Sequence, residues 1–104
     1  MKDIKTKQEL DEVLAENKKV LVKIGAEWCG PCKMLEKYLT ELEEQFPDVK
    51  IVKADCDEAD ELVELFDVMS VPLSVYYVDG EIKAKKSGLM TKEQLKELFE
   101  DDKN

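Results

Sequence analysis

Apolar residues recur along this chain with two periods, and the switches between them predict its elements. Thr6-Lys7-Gln8-Glu9 reads as a capping box, with Thr6 as N-cap and Glu9 three positions on. Leu10, Val13 and Leu14 then share one face, which predicts a helix to about Asn17. Ile4, just before it, is expected to head a short first strand. Val20 to Ile24 is mostly apolar and β-branched and reads as a buried strand, with Lys23 as its polar member. Leu35, Leu39, Leu42 and Phe46 recur at spacings of four, three and four, and Met34 and Tyr38 widen the stripe. This predicts a helix of about four turns, ended by Pro47. Glu36, Lys37, Glu41, Glu43 and Glu44 are assigned to its outer, solvated face.

The second half follows the same logic. Val49 to Ala54 predicts another buried strand, and Asp55-Cys56-Asp57-Glu58 a polar exit from it. Leu62, Leu65 and Phe66 form the apolar face of a short helix. Val71-Pro72 breaks the chain before a third buried strand, Leu73 to Val78. Asp79-Gly80 is a strong two-residue hairpin signal. Ile82 to Ser87 should return antiparallel at an edge, with Ile82 and Ala84 facing in and Lys83 and Lys85 facing out. Thr91 with Gln94 makes a second capping box, and Leu95, Leu98 and Phe99 a closing helix. Glu100 to Asn104 is expected to be a frayed polar tail. Parallel strands first and a hairpin later imply an α/β fold, a mixed central sheet with helices on both faces. At 104 residues, 1–104 is expected to form one domain.

Charge and composition narrow the function classes. Twenty-five acidic and 16 basic residues give a net charge of −9. That disfavours nucleic-acid backbones and anionic membranes as partners. No apolar run approaches the ~20 residues of a membrane span, and the charged start Met1-Lys2-Asp3-Ile4-Lys5 lacks a secretory core. A monomer in a reducing, cytoplasmic setting is the expectation, because three Cys are too few for a disulfide framework.

The candidate chemistry lies in Trp28-Cys29-Gly30-Pro31-Cys32-Lys33. Two thiols three positions apart are one helical turn apart, so they can close a disulfide or open as a dithiol without moving the fold. Gly30 permits a tight entry, and Pro31 is tolerated in a first helical turn. Cys29 then lies where free backbone N–H groups and the helix dipole favour negative charge. Such a position lowers a thiol's pKa and makes its sulfur reactive. A zinc site is the weaker reading, since four Cys or His ligands are the usual set and the chain has three Cys and no His. A purely structural disulfide is also weaker, because so short a ring constrains the unfolded chain little. An interaction module that holds a partner beside Trp28, with redox chemistry incidental, is the remaining alternative.

Ala26-Glu27-Trp28-Cys29-Gly30-Pro31-Cys32-Lys33 resembles the active-site segment of thioredoxins. Val71-Pro72, with Pro72 forty residues after Cys32, resembles that family's cis-proline loop, and Asp79-Gly80-Glu81 and Gly88 fall where the family has its hairpin turn and late glycine. The resemblance covers nearly the whole chain. It implies the thioredoxin fold and the reduction of protein disulfides, with Cys29 as attacking thiolate and Cys32 as resolving thiol. It further implies that Trp28, Gly30, Pro31, Val71, Pro72 and Gly88 form the substrate-docking surface and that Pro72 is cis. The implied partners are disulfide-containing proteins and a thioredoxin reductase, flavoprotein or ferredoxin-linked. No cofactor is called for.

Two departures from the family bear on how the pair is tuned. The family's buried Asp, six positions before the first Cys, is Lys23 here, and the usual Phe-Trp or Phe-Tyr after it is Ile24-Gly25. Lys23 and Lys33 are therefore candidates for tuning the thiol pKa values. Lys23 is expected to carry its ammonium along its flexible stem to water. Cys56 is expected to be a small, nearly buried residue, held unreactive by Asp55 and Asp57, which would raise its pKa. Met34 and Met69 are expected in the core.

Overall fold

A computed structural model of the chain describes residues 1–100. Nine elements follow one another: β1 (Lys2–Asp3), α1 (Lys7–Glu16), β2 (Lys19–Gly25), α2 (Gly30–Gln45), β3 (Val49–Asp55), α3 (Asp60–Leu65), β4 (Leu73–Val78), β5 (Glu81–Ser87) and α4 (Lys92–Glu100). The five strands form one sheet in the order β1-β3-β2-β4-β5. β1, β3 and β2 are mutually parallel, β4 runs antiparallel to β2, and β5 runs antiparallel to β4. The chain is thus the expected mixed α/β sheet. The first strand is Lys2–Asp3, and Ile4 follows it, donating its N–H to Lys53 O at 2.8 Å and burying its side chain.

The element boundaries have local causes. Both capping boxes form: Glu9 N–H donates to Thr6 Oγ1 while Glu9 Oε1 accepts from Thr6 N–H, and Thr91 and Gln94 repeat the exchange. Asp79 and Gly80 both adopt positive φ, 53° and 79°, the backbone that a two-residue hairpin between twisted strands requires.

Strand alternation sorts the core into two layers. Val20, Val22 and Ile24 of β2 face α1 and α3, where they meet Leu10, Val13, Leu62 and Phe66. Leu21 faces the other way, into Leu35, Leu39 and Leu42 of α2 and Leu95 and Phe99 of α4. Lys23 and Gly25 share the face of Leu21, so both lie under α2, and Lys53 of β3 does as well.

Four expectations are corrected. A bulge between Tyr76 and Tyr77 pairs Tyr76 with Ala84 and Tyr77 with Ile82, which leaves Lys83 unpaired and turns Ile82 and Ala84 to opposite faces. Ile82 is therefore exposed, whereas Lys85 is exposed as expected, with its ammonium donating to the Phe66 carbonyl. Leu65 is exposed, since α3 covers the sheet with Leu62 and Phe66 only. Met34 and Met69 lie at the surface rather than in the core, Met69 at 87% exposure. Glu100 closes α4, and the rest of the tail expected to fray, 101–104, lies outside the described residues.

Leu39 is fully buried in the α2–α4 layer. Leu39→Ala is expected to cost about 2–5 kcal/mol through lost burial and the cavity left behind. Urea denaturation at neutral pH checks this, and a loss below about 1 kcal/mol would mean the layer closes over the gap.

Candidate active site

The end of β2 and the start of α2 build the site together. Cys29 is the N-cap of α2, in extended backbone, and Pro31 occupies the first helical turn. The Cys32 N–H points at Cys29 Sγ, 3.2 Å away, so a negative charge on this sulfur would meet a free helix donor and the positive end of the helix. Cys29 and Cys32 are joined as a disulfide with their Cα atoms 5.3 Å apart. The pair is graded in access: Cys29 is 7% exposed and Cys32 1%.

Gly25 allows Cys32 to reach this depth. A Cβ added there would stand 3.1 Å from Cys32 Cβ, 3.2 Å from Cys32 Sγ and 3.1 Å from Lys23 Cε. The Cys32 end of the pair therefore sits directly on a strand position with no side chain. The Lys23 stem and the Cys32 sulfur flank the same small gap.

The loop before β4 covers the pair from the other side. The Val71–Pro72 peptide is cis, as the resemblance implies. The Val71 carbonyl lies 3.9 Å from Cys29 Sγ, and Val71 packs with Ala26, Cys29 and Cys32. The Gly88 N–H donates to the Pro72 carbonyl at 2.9 Å, with Gly88 at φ 91°, which ties the end of β5 to this loop. Trp28 is 70% exposed, and its indole Nε1–H donates to Asp57 Oδ2 at 3.0 Å. Gly30, Pro31 and Lys33 are exposed around the pair. The residues expected at the site thus meet beyond the end of the central strand β2.

Lys23 departs from expectation. Its side chain is only 6% exposed, and its ammonium does not swing into water. It donates to Glu36 Oε1 at 2.9 Å, and the second oxygen of the same carboxylate lies 3.3 Å from Lys53 Nζ. Lys23 and Lys53 are in register on neighbouring parallel strands, on the same face. Two ammonium groups so placed repel, and the carboxylate between them offsets that repulsion. The hydrogen bond from Lys23 holds the Glu36 carboxyl below its ordinary pKa against the opposing effect of partial burial, and the Lys23 and Lys53 charges add to it. The helical pattern alone assigns Glu36 to the solvated face of α2. It is four residues after Cys32, however, and so on the same side of the helix. A lysine on a buried strand beneath that helix needs a counter-charge, and this is the signal in the sequence that could have found it. Lys23, Gly25, Cys32, Glu36 and Lys53 line one side of a groove of about 910 Å³.

Cys56 packs partly buried against Cys29, Cys32 and Ala26, and its N–H donates to the Gly25 carbonyl at 2.8 Å. Burial pushes its thiol pKa up, and the Asp57 and Asp55 carboxylates add to the rise. Among the described residues, Asp55, Cys56 and Asp57 are the group whose ligand atoms could share a metal ion, all within 4.8 Å of one another. Asp55 Oδ1 accepts from the Asp57 N–H and Asp57 Oδ2 from Trp28, so both carboxylates are already engaged. The group includes neither Cys29 nor Cys32.

A buried thiol one turn from a thiol at a helix N-terminus can pass two electrons to another disulfide, and the oxidised pair can take them from another dithiol. The fold and the pair therefore define a dithiol–disulfide oxidoreductase. The thioredoxin family model matches residues 2–101. A thioredoxin of Mycoplasmoides gallisepticum is 40% identical over 99 residues, covering 95% of this chain and 99% of that protein. The Bacillus subtilis thioredoxin is 44% identical over 80 residues, 76% of this chain and 77% of that one. Among solved structures, a mutant thioredoxin from Halobacterium salinarum superposes with a TM-score of 0.92 at 37% identity, covering 99% of this chain and 90% of that one. Oxidised mitochondrial thioredoxin 3 of Saccharomyces cerevisiae gives 0.89 at 31% identity, covering 97% and 94%. The chain belongs to the thioredoxin family. Its activity is protein dithiol–disulfide exchange through the Cys29–Cys32 couple, and members of this family are reduced in turn by thioredoxin reductase.

Two outcomes follow from this geometry. In reduced protein near neutral pH, brief iodoacetamide treatment is expected to label Cys29 first, with Cys56, whose thiol pKa is raised, labelled more slowly and gaining as pH rises. Peptide mass spectrometry across pH reads the order, and Cys56 labelling ahead of Cys29 would contradict it. Gly25→Ala is expected to cost about 1–3 kcal/mol in urea denaturation, because the new methyl must displace Cys32. An unchanged stability would show that the first turn of α2 can shift freely.

Proposed function

We propose that this chain acts as a reductase of protein disulfides, with Cys29 as nucleophile and Cys32 as resolving thiol. The observation that carries the reading is the graded access of the pair: the first sulfur sits at the helix start under the Val71 carbonyl, and the second is sealed one turn inside. The Cys29 thiolate attacks a substrate disulfide and forms a Cys29–substrate mixed disulfide, expelling the other substrate sulfur as a thiolate, which takes up a proton. Cys32 then loses its proton and attacks Cys29 Sγ. The internal disulfide closes and the second substrate thiolate leaves. Two electrons pass from the pair to the substrate. Tethering within one helical turn makes the second attack intramolecular and therefore fast.

Substrate docks, in this reading, over Trp28, Gly30 and Pro31 and along Val71, Pro72 and Gly88. The residue before a proline is held extended, so the Val71 backbone can pair with an extended substrate segment as an added strand. Trp28 offers a flat apolar surface beside the reacting sulfur. Lys23 and Lys33 tune the pair electrostatically. The working unit is a single-domain monomer in a reducing, cytoplasmic setting, supplied with electrons by a thioredoxin reductase of the flavoprotein or ferredoxin-linked type. No helix among the described residues is long and apolar enough to cross a membrane.

Insulin reduction in the presence of dithiothreitol tests the activity. Wild type is expected to accelerate insulin precipitation, and Cys29→Ser to lose the acceleration entirely. Cys32→Ser is expected to trap a mixed disulfide with insulin that is visible on non-reducing gels, whereas Cys29→Ser traps little. Trapping by Cys29→Ser instead would reverse the assignment, and absence of catalysis by wild type would favour a binding module.

A further inference from the structure

The sequence places a cation where a carboxylate would be expected, and the structure supplies the carboxylate from a different element. Lys23 is buried under the first turn of α2, and its Cε borders the same gap at Gly25 as Cys32 Sγ. The separation of these two atoms therefore cannot exceed the sum of their distances, 3.1 and 3.2 Å, to that point. Glu36 holds the Lys23 ammonium at 2.9 Å and also meets Lys53 at 3.3 Å. Two cations and one anion leave these three residues with one net positive charge, and the Asp55 carboxylate lines the same groove.

We propose that Glu36 is a positioning residue for the exchange reaction: it fixes the Lys23 ammonium beneath Cys32 and, by cancelling one of the two lysine charges, sets how strongly the reduced pair is stabilised. The inference rests on the reading of Cys29–Cys32 as the redox couple. Reduction converts a neutral disulfide into a thiolate-bearing pair, so only the reduced state feels the cluster to first order. Added positive charge lowers the thiolate's energy and makes the couple more oxidising. Removed positive charge does the reverse. Lys33 on α2, Glu27 before it, Asp55 at the end of β3 in register with Gly25, and Asp57 beyond that strand also face this end of the molecule, and they remain unchanged in each variant below.

This predicts opposite effects from removing the two partners of one ion pair. Glu36→Gln raises the cluster by one charge, and Lys23→Gln lowers it by one. The double variant restores the net charge of wild type. A change of one charge in this cluster, damped because the Glu36 side chain is 40% exposed, is expected to shift the equilibrium constant with glutathione about three- to tenfold. That corresponds to about 15–30 mV for a two-electron couple.

The experiment equilibrates each protein with glutathione buffers at pH 8, quantifies reduced and oxidised forms, and titrates the Cys29 thiolate by its ultraviolet absorbance. Glu36→Gln should be more oxidising than wild type with a lower Cys29 pKa, Lys23→Gln more reducing with a higher one, and the double variant close to wild type. If Lys23→Gln does not fold, Lys53→Gln, whose side chain is 29% exposed, carries the same expected sign. A merely structural ion pair would move both single variants in the same direction or neither, and either result overturns the proposal. If wild type itself fails to equilibrate with glutathione, the redox reading falls and the proposal falls with it. If all variants equilibrate with unshifted constants, only the proposal falls.

Discussion

The close approach of α2 to β2 at Gly25 is the contact on which the rest of the site depends. With no side chain at that position, the first turn of the helix settles until Cys32 rests on the strand. Cys32 is thereby sealed, while Cys29, as N-cap, stays at the helix mouth. Lys23, on the same face of β2, gives its ammonium to Glu36 of the same helix. One missing side chain thus leaves room for both the Cys32 sulfur and the Lys23 stem.

Much of this was legible in the sequence, for reasons that are local. Capping boxes at Thr6 and Thr91, the Asp79-Gly80 turn and the apolar stripe from Leu35 to Phe46 each depend on neighbours within a few residues. So does the placement of Cys29 and Cys32 on a first helical turn, which the structure reproduces. The family resemblance added the cis Val71–Pro72 bond, which local propensity alone would not favour.

What escaped the sequence depends on which strand lies beside which. The Lys83 bulge is a mismatch between β4 and β5, invisible in the alternation of β5 alone. Glu36 looks like one of several acidic residues on a helix surface until Lys23 and Lys53 are known to lie side by side beneath it. Asp57 gains a role only because the exit of β3 passes next to Trp28. In each case the residue type was ordinary, and the partner was supplied by sheet order.

In the proposed arrangement the Cys29–Cys32 pair operates over two lysines that share the Glu36 carboxylate, and their charge sets its potential. The reduction potential of the wild-type Cys29–Cys32 couple, measured against glutathione, tests it most directly. Thioredoxin lies at about −270 mV. With one net positive charge on Lys23, Lys53 and Glu36 together, this couple is expected to be less reducing by about 10–40 mV. A value at or below about −270 mV would contradict the account.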